Sequence, residues 1–337
     1  MSKKTVLSGM QPTGKLHLGH YLGVLNNYTK LQNEYECFFM VANWHSLTVF
    51  YTEYEKAHNF IAPLVSDWIA AGIDPEKSTI FVQSDVKAHA ELSLLLSMYT
   101  PVSWLTRNPS YKEKQENIEK DIDSQGFLGY PVLQAADIFL YNGQIVPIGE
   151  DQLPHLELSR EIARRFNHIT KASEGNSIIE PKALLSEYPK VLGTDGRKMS
   201  KSYGNTIALS EEIDSLTQKM RKMVTDTNRV RKTDKGDPEK CPVFTYYDYF
   251  LPARKGEIEK ECRSAGIGCT DCKKIITDEI IKETEPFREK KEYFTQNPEL
   301  LKEILHHGAE VASGVANETL ERLKSVLGMS SNYLIQK

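Results

Sequence analysis

Ser8–His20 reads SGMQPTGKLHLGH, and the fold follows from what flanks it. Before it comes the short apolar run Val6-Leu7; after it comes a helical pattern from Tyr21 to Leu31. A strand therefore passes through a turn rich in Gly and Pro into a helix. Gly9, Gly14 and Gly19 let backbone approach a bound group closely, and Pro12 stiffens the turn. The helix beginning near Gly19 turns free N–H groups and a partial positive charge back toward the turn, where an anion such as a phosphate is stabilised. The spacing fits neither the P-loop nor the dinucleotide fingerprint. Taken alone, the stretch reads equally well as a phosphate site and as a plain turn carrying two solvated histidines.

Gly193–Ser202, GTDGRKMSKS, shifts that balance. Thr194-Asp195-Gly196 reads as a tight turn, after which Lys198 and Lys201 bracket Met199-Ser200. Two lysines three apart with no adjacent acid form a cationic clamp, although most lysine pairs are merely solvated. HLGH near the start and KMSKS near residue 200, in that order and that far apart, resemble the paired signatures of the class I aminoacyl-tRNA synthetases.

A chain of 337 residues has room for two domains and a sizeable core. With 40% hydrophobic and 26% charged residues it has the balance of a soluble globular protein. A net charge of −4 argues against a protein that coats nucleic acid, so no DNA partner is expected and any RNA contact must come from local patches. No run approaches membrane-spanning length, and the apolar segment after Lys3-Lys4 is too short for a signal peptide, so we expect a cytoplasmic protein without a membrane partner. Five cysteines in a reducing cytosol read, where they cluster, as metal ligands.

From Met1 to about Glu187, apolar runs alternate with helical patterns. Thr5–Ser8, Cys37–Val41 and Thr79–Val82 are strand-like; Glu53–Ala71, ending at Gly72, and Ala88–Met98 are helical. The alternation predicts an α/β fold: a Rossmann-like parallel sheet, with ligands beyond the carboxyl ends of its strands. The boundaries read as a catalytic domain over 1–190 completed by a C-terminal helix in 290–337, a KMSKS loop over 191–205, and a smaller all-helical domain over 206–289. Three further groups fall on expected strand ends or loops. Asn43-Trp44-His45 follows the second strand. Asn108–Lys114, NPSYKEK, is a polar loop. In Tyr130–Gln152, Gln134 and Asp137 share one helix face among apolar neighbours. A buried Asp there needs a partner, and a cap or buried pair is favoured over a ligand contact about two to one. Gly149-Glu150-Asp151-Gln152 is a strand-end turn suited to ribose hydroxyls.

SGMQPTG, HLGH, NPSYKEK, YPVLQAADI, VPIGEDQ and KMSKS together resemble the bacterial-type tryptophanyl-tRNA synthetases, and the resemblance spans the chain. GEDQ preceded by AAD separates it from the tyrosyl relatives. The resemblance implies ATP contacts at Gln11, Pro12, Thr13, Gly19, His20, Lys114, Gly149, Glu150, Asp151, Val191, Lys198, Met199, Ser200, Lys201 and Ser202, with His17, His20, Lys198 and Lys201 in catalysis. It implies tryptophan contacts at Leu7, Gly9, His45, Tyr130, Gln134, Asp137, Val146, Ile148 and Gln152. Asp137 would accept the indole N–H; Tyr130 and Gln152 would hold the ammonium. Many bacterial members carry Thr and Asn where this chain has His17 and His20, and many carry Met where Gln134 stands. The implied activity is a tryptophan–tRNA ligase using ATP and Mg²⁺, with tRNA(Trp) as partner and a homodimeric state. The alternative is a catalytically silent paralogue that binds tryptophan or RNA as a regulator.

Beyond Ser202 the composition changes. Arg221–Lys240 is basic, and in the family this region meets the anticodon, so Arg221, Lys222, Arg229, Arg231 and Lys232 are expected to contact RNA. Cys241, Cys262, Cys269 and Cys272 form a C-x20-C-x6-C-x2-C series, a strong metal signal that fits zinc or a [4Fe–4S] cluster. Structural zinc usually takes two short Cys pairs, and only Cys269 and Cys272 form one. A subset of the family with a similar series binds [4Fe–4S], which is the expected group here, with zinc as the alternative. Glu283–Tyr293 and Asn297–Leu327 read as helices; by resemblance the second, with its small residues Gly308, Ala309, Ala312 and Ala316, packs back on the first domain.

Overall fold

The structure, a computed structural model, describes residues 3–109, 111, 124–185 and 191–329. Five strands form one sheet: β1 (Thr5–Met10), β2 (Glu36–Val41), β3 (Ser78–Val82), β4 (Ile145–Ile148) and β5 (Lys182–Leu185). Their order is β3-β2-β1-β4-β5 and every pairing is parallel. Parallel strands covered on both faces read as unbroken apolar runs. In β2 every residue after Glu36 is buried accordingly. The chain winds outward from β1 in both directions, so a crevice opens at the carboxyl ends of β1 and β4, where such sheets bind ligands.

Leu18–His20, a π-helical turn Tyr21–Leu25 and α1 (Asn26–Glu34) follow one another without a break. Asn43-Trp44-His45, expected in a loop, instead opens α2 (Asn43–Phe50). The single helix expected over Glu53–Ala71 is two, Tyr54–Asn59 and α3 (Ile61–Ala70). Pro63 explains the break: it has no N–H to offer the Asn59 carbonyl, and its ring would collide with it. Then come α4 (Ala88–Ser97), α5 (Gln125–Leu140) and α6 (Leu153–Thr170).

The remaining segment is helical: α7 (Ile213–Lys222), α8 (Pro242–Phe250), α9 (Lys255–Arg263), α10 (Cys269–Glu283), α11 (Glu285–Gln296) and α12 (Pro298–Val326). Prolines 286 and 298 in the first turns of α11 and α12 set their starts. One apolar cluster runs without interruption from Val6 and Trp68 to Leu216, Ile276 and Phe287, so the helical part shares its core with the sheet. In α12, Gly308, Ala312 and Ala316 are buried, and the helix packs on β3, α4 and α5.

The closest approach is at Gly308, where a Cβ would lie 1.8 Å from the Ile80 carbonyl oxygen of β3. At Gly314, on the same helix, a Cβ would meet nothing within 4 Å. Gly308→Ala should therefore destabilise the fold by about 3 kcal/mol or more, through displaced backbone. Gly314→Ala should stabilise it by about 0.5–1 kcal/mol through helix propensity. Urea unfolding of the two variants checks both signs.

Candidate active site

The turn after β1 is closed by a hydrogen bond from the Thr13 N–H to the Gln11 carbonyl. Gly14 takes φ +129°, a conformation open to glycine but rare for other residues. His17 caps the helix that begins at Leu18: its backbone N–H donates to His20 Nδ1 at 3.2 Å, and the two rings lie 3.8 Å apart. The segment is stitched to the far part of the chain. The Leu18 N–H donates to the Ile207 carbonyl, the Leu209 N–H to that of Leu16, and Lys201 Nζ to that of Gly14 at 3.0 Å. The two segments singled out in the sequence thus meet in space.

Between them and the end of β4 lies a cavity of about 730 Å³. Of the residues expected to contact ATP, Thr13, Gly19, His20, Gly149, Asp151, Val191, Lys198, Met199, Ser200, Lys201 and Ser202 line it, as does His17. Gln11 lines the adjoining cavity, Pro12 and Glu150 line neither, and Lys114 lies outside the described residues. The adjoining cavity, about 330 Å³, shares the wall formed by His20, Val24 and Pro147–Gly149. All nine residues expected to contact tryptophan line it: Leu7, Gly9, His45, Tyr130, Gln134, Asp137, Val146, Ile148 and Gln152.

The electrostatics of the larger cavity differ from a cluster of cations. Burial, with the charge of Lys201, lowers His17 to about 4. Burial, then His17 and Lys201, hold His20 well below the usual histidine range. Both imidazoles are therefore neutral near pH 7. With Nδ1 of His20 accepting the His17 N–H, its Nε2 carries the proton and can donate to a phosphate oxygen. The positive charge comes from the lysines. Lys198 is exposed, while burial lowers Lys201 to about 8 against the opposing pull of Asp67. Asp67, on α3, was not singled out in the sequence; burial raises it to about 7, countered by the Leu16 N–H and by Lys291, Lys15 and Lys201.

The smaller cavity ends on Asp137. Its carboxylate accepts from His45 Nε2 at 2.8 Å, His89 Nδ1 at 2.6 Å and Gln83 Nε2 at 2.9 and 3.0 Å. Burial raises this carboxyl, but the charge of His89 and the hydrogen bonds of His45 and His89 outweigh it and bring it down to about 2. Asp137 is thus both the expected buried pair and a cavity wall. Tyr130 is held from behind: its hydroxyl lies 2.7 Å from His155 Nε2, and His155 Nδ1 is 3.1 Å from Asn108 Nδ2. Gln83, His89, His155 and Asn108 were not predicted as site residues.

Asn205, likewise not predicted as a site residue, shapes the lysine loop. Its Oδ1 accepts the Ser200 N–H at 2.8 Å, and its Nδ2 donates to Asp195 Oδ1 at 2.7 Å and to the Lys198 carbonyl at 3.1 Å. It is 2% exposed. Gly193 is required beside it, since a Cβ there would lie 2.4 Å from the Asn205 amide.

The cysteines lie in the helical part. Cys241 precedes α8, Cys262 is in α9, and Cys269 and Cys272 open α10; none is in a disulfide. Burial first, then the charges of neighbouring thiolates, push the Cys272 thiol up to about 11, and Cys241, Cys262 and Cys269 all act on it. Among the described residues no group of three or more His, Cys, Asp or Glu side chains is set to hold a metal ion. One expectation is corrected here. Arg229, grouped by sequence with the RNA-facing basic residues, is buried; it donates to the Lys232 and Ile267 carbonyls and lies 3.8 Å from Cys262 Sγ. Arg221, Lys222, Arg231 and Lys232 are exposed.

Residues 2–285 match the family model of class I tRNA synthetases (W and Y). The chain is 47% identical to a tryptophan–tRNA ligase of Thermotoga maritima, covering 96% of this chain and 99% of that one. It is 41% identical to a tryptophan–tRNA ligase of Ralstonia nicotianae, covering 98% and 100%. The crystal structure of tryptophanyl-tRNA synthetase from Campylobacter jejuni, complexed with ADP and tryptophan, superposes with a TM-score of 0.87 at 34% identity over 96% of this chain and 99% of that one.

Asn205→Ala should leave the part-buried carbonyl of Lys198 and N–H of Ser200 without their side-chain partner, at about 1–3 kcal/mol. Affinity for ATP should fall roughly tenfold while affinity for tryptophan stays within about threefold, because only the larger cavity is disturbed. Titration calorimetry with each ligand checks this.

Proposed function

The chain belongs to the class I aminoacyl-tRNA synthetases of the tryptophan and tyrosine type, and from that premise we propose how its two joined cavities divide the labour of a tryptophan–tRNA ligase. The protein is of the bacterial type and charges tRNA(Trp) with tryptophan at the expense of ATP. The observation that carries the assignment of roles is the bond from Lys201 to the Gly14 carbonyl beside the larger of two adjoining cavities, the smaller of which is lined by Asp137.

In our reading the smaller cavity takes tryptophan, with its indole N–H toward Asp137 and its ammonium toward Tyr130 and Gln152. The larger takes ATP, its triphosphate between the His17–His20 turn and the Lys198–Lys201 loop. A carboxylate oxygen of tryptophan attacks the α-phosphorus. The new O–P bond forms as the bond to the bridging oxygen breaks, and pyrophosphate leaves with the electron pair. The carboxylate is already a nucleophile, so the protein needs no general base here; positioning and charge stabilisation lower the barrier. Mg²⁺ enters with ATP as part of the substrate. Lys198 and Lys201 bind the leaving pyrophosphate as its charge grows, a preference for the transition state that raises the rate. The His17 and His20 imidazoles, neutral near pH 7, add N–H donors without further crowding positive charge. In the second step a terminal ribose hydroxyl of tRNA attacks the acyl carbon and AMP departs.

We further propose the domain division read from the sequence, a homodimeric assembly and a cytoplasmic location. Among the described residues no helix is long and apolar enough to cross a membrane. For the cysteines, two observations support a thiolate-held group even though no three of these side chains stand set for a metal ion: the C-x20-C-x6-C-x2-C series itself, and a buried guanidinium beside Cys262 whose Nε has no partner among the described residues. A buried cation in that position is balanced by an anionic thiolate centre. We take the group as [4Fe–4S], with zinc as the alternative. When bound it would cross-link the start of α8 to α9 and α10.

Tryptophan-dependent exchange of pyrophosphate into ATP is the decisive assay. Exchange should proceed with tryptophan and be weaker by about 10⁴-fold with phenylalanine, which leaves Asp137 unpaired. No exchange with tryptophan would leave only a silent tryptophan- or RNA-binding regulator. Protein purified without oxygen should carry about four iron atoms per chain and absorb visible light; colourless protein with about one zinc would replace the cluster by zinc.

A further inference from the structure

Behind Asp137 stand three side chains that line neither cavity. Gln83 and His89 are fully buried, and Tyr141 is 1% exposed. The Gln83 amide is oriented by its other end, because its Oε1 accepts the Trp44 N–H at 3.1 Å, so its NH₂ must face the carboxylate. His89 is bracketed in the same way, with Nδ1 2.6 Å from Asp137 Oδ1 and Nε2 2.8 Å from the Tyr141 hydroxyl. An ionised carboxylate offers about four acceptor directions. Gln83 touches both oxygens, His89 holds Oδ1 and His45 holds Oδ2; of these three donors His45 alone lines the cavity, which Asp137 itself also lines, so the side of the carboxylate shared with His45 is the one a substrate ring would meet.

We propose that Gln83 and His89 are positioning residues for side-chain selection: they fix Asp137 as a carboxylate that only accepts, so the cavity takes a ring N–H and rejects carbon or sulfur at the same place. The inference rests on the reading of the smaller cavity as the tryptophan site. Its physical basis is the burial of Asp137. A carboxyl so enclosed tends to hold its proton, and a protonated carboxyl offers a donor where the indole needs an acceptor. The titratable groups facing it are His45 from α2, His89 from α4 and Tyr141 at the end of α5.

The test compares tryptophan with its benzothiophene analogue, in which sulfur replaces the ring N–H, in pyrophosphate exchange by the full chain at saturating ATP. Wild type should favour tryptophan by about 10⁴-fold in kcat/KM, with a KM for tryptophan that is flat between about pH 8 and pH 5.5. His89→Leu should cut that preference about 100-fold, through the KM for tryptophan, while kcat/KM for the analogue stays within about threefold. The sign with pH follows from the carboxyl. With its pKa raised in the variant, Asp137 gains a proton as pH falls, so the KM for tryptophan should climb in acid. The analogue, which needs no acceptor, should show no such limb and so separates this effect from any other pH dependence of the site.

His89→Gln keeps a donor without the charge. It should hold the preference within about threefold of wild type at pH 8 and still show the acid limb. Folding of each variant is followed by circular dichroism. If His89→Leu does not fold, the acid limb of His89→Gln decides. A wild type inactive with tryptophan overturns the reading of the cavity itself. An active wild type, with preference and pH profile unmoved in a folded His89 variant, overturns this inference alone.

Discussion

The contact between the Lys201 ammonium and the Gly14 carbonyl joins segments 187 residues apart, and the geometry of the larger cavity depends on it. Burial brings this lysine down to about 8, so keeping it charged costs the protein free energy that a carbonyl and the more distant Asp67 only partly offset. In the proposed reading a polyanion would supply the missing counter-charge. The lysine would then be under-neutralised until substrate arrives, and its interaction would strengthen as negative charge accumulates on a departing pyrophosphate. That is the condition under which binding energy lowers a barrier instead of deepening the ground state.

The same burial acts in the opposite sense on the two histidines of the turn. Close to Lys201 and to each other, with rings 3.8 Å apart, they cannot both take up protons in a desolvated setting. Charge is thus concentrated on the lysines, and directional N–H donors surround it. The two kinds of group come from distant parts of the chain and are held in register by the backbone bonds from Leu18 to Ile207 and from Leu209 to Leu16; a phosphate bound as proposed would meet both.

Much of this was legible in the sequence, and the parts that were not share a cause. β1, β2 and β3 announce themselves as apolar runs because both faces of the sheet are covered there. β5 does not: it is an edge strand, with Lys182, Leu184 and Leu185 exposed, and only its register beside β4 makes it a strand. The helix expected over 53–71 was right in kind and wrong in continuity, because periodicity sees apolar spacing and Pro63 acts through one carbonyl. In the site, motif residues were visible because they sit close together in the chain. Gln83 and His89 reach Asp137 across 54 and 48 residues, and each looks locally like an ordinary polar residue on a helix or turn. Arg229 shows the converse: its charge was legible, but composition alone gives no direction for a side chain, and this one turns inward.

The two cavities also differ in how their polar groups are held, and that difference matches the two demands on such a site. Selection of a side chain requires a surface that does not adapt, since an adaptable one re-pairs its polar groups with the wrong ligand and loses the penalty that rejects it. Asp137, His89 and Gln83 are closed off from water and bonded to one another, with little freedom to re-pair. Phosphate transfer requires groups that follow a changing charge distribution. Lys198 and Ser202 are exposed, and the loop that carries them is bounded by Gly196 at φ +82° and Gly204 at φ +64°, with Asn205 as its main internal support. Rigidity is thus invested where discrimination is made, and solvent-facing chain where charge moves. The two cavities share the wall from Pro147 to Gly149, which in the proposed reading is where one substrate's carboxylate would meet the other's phosphorus.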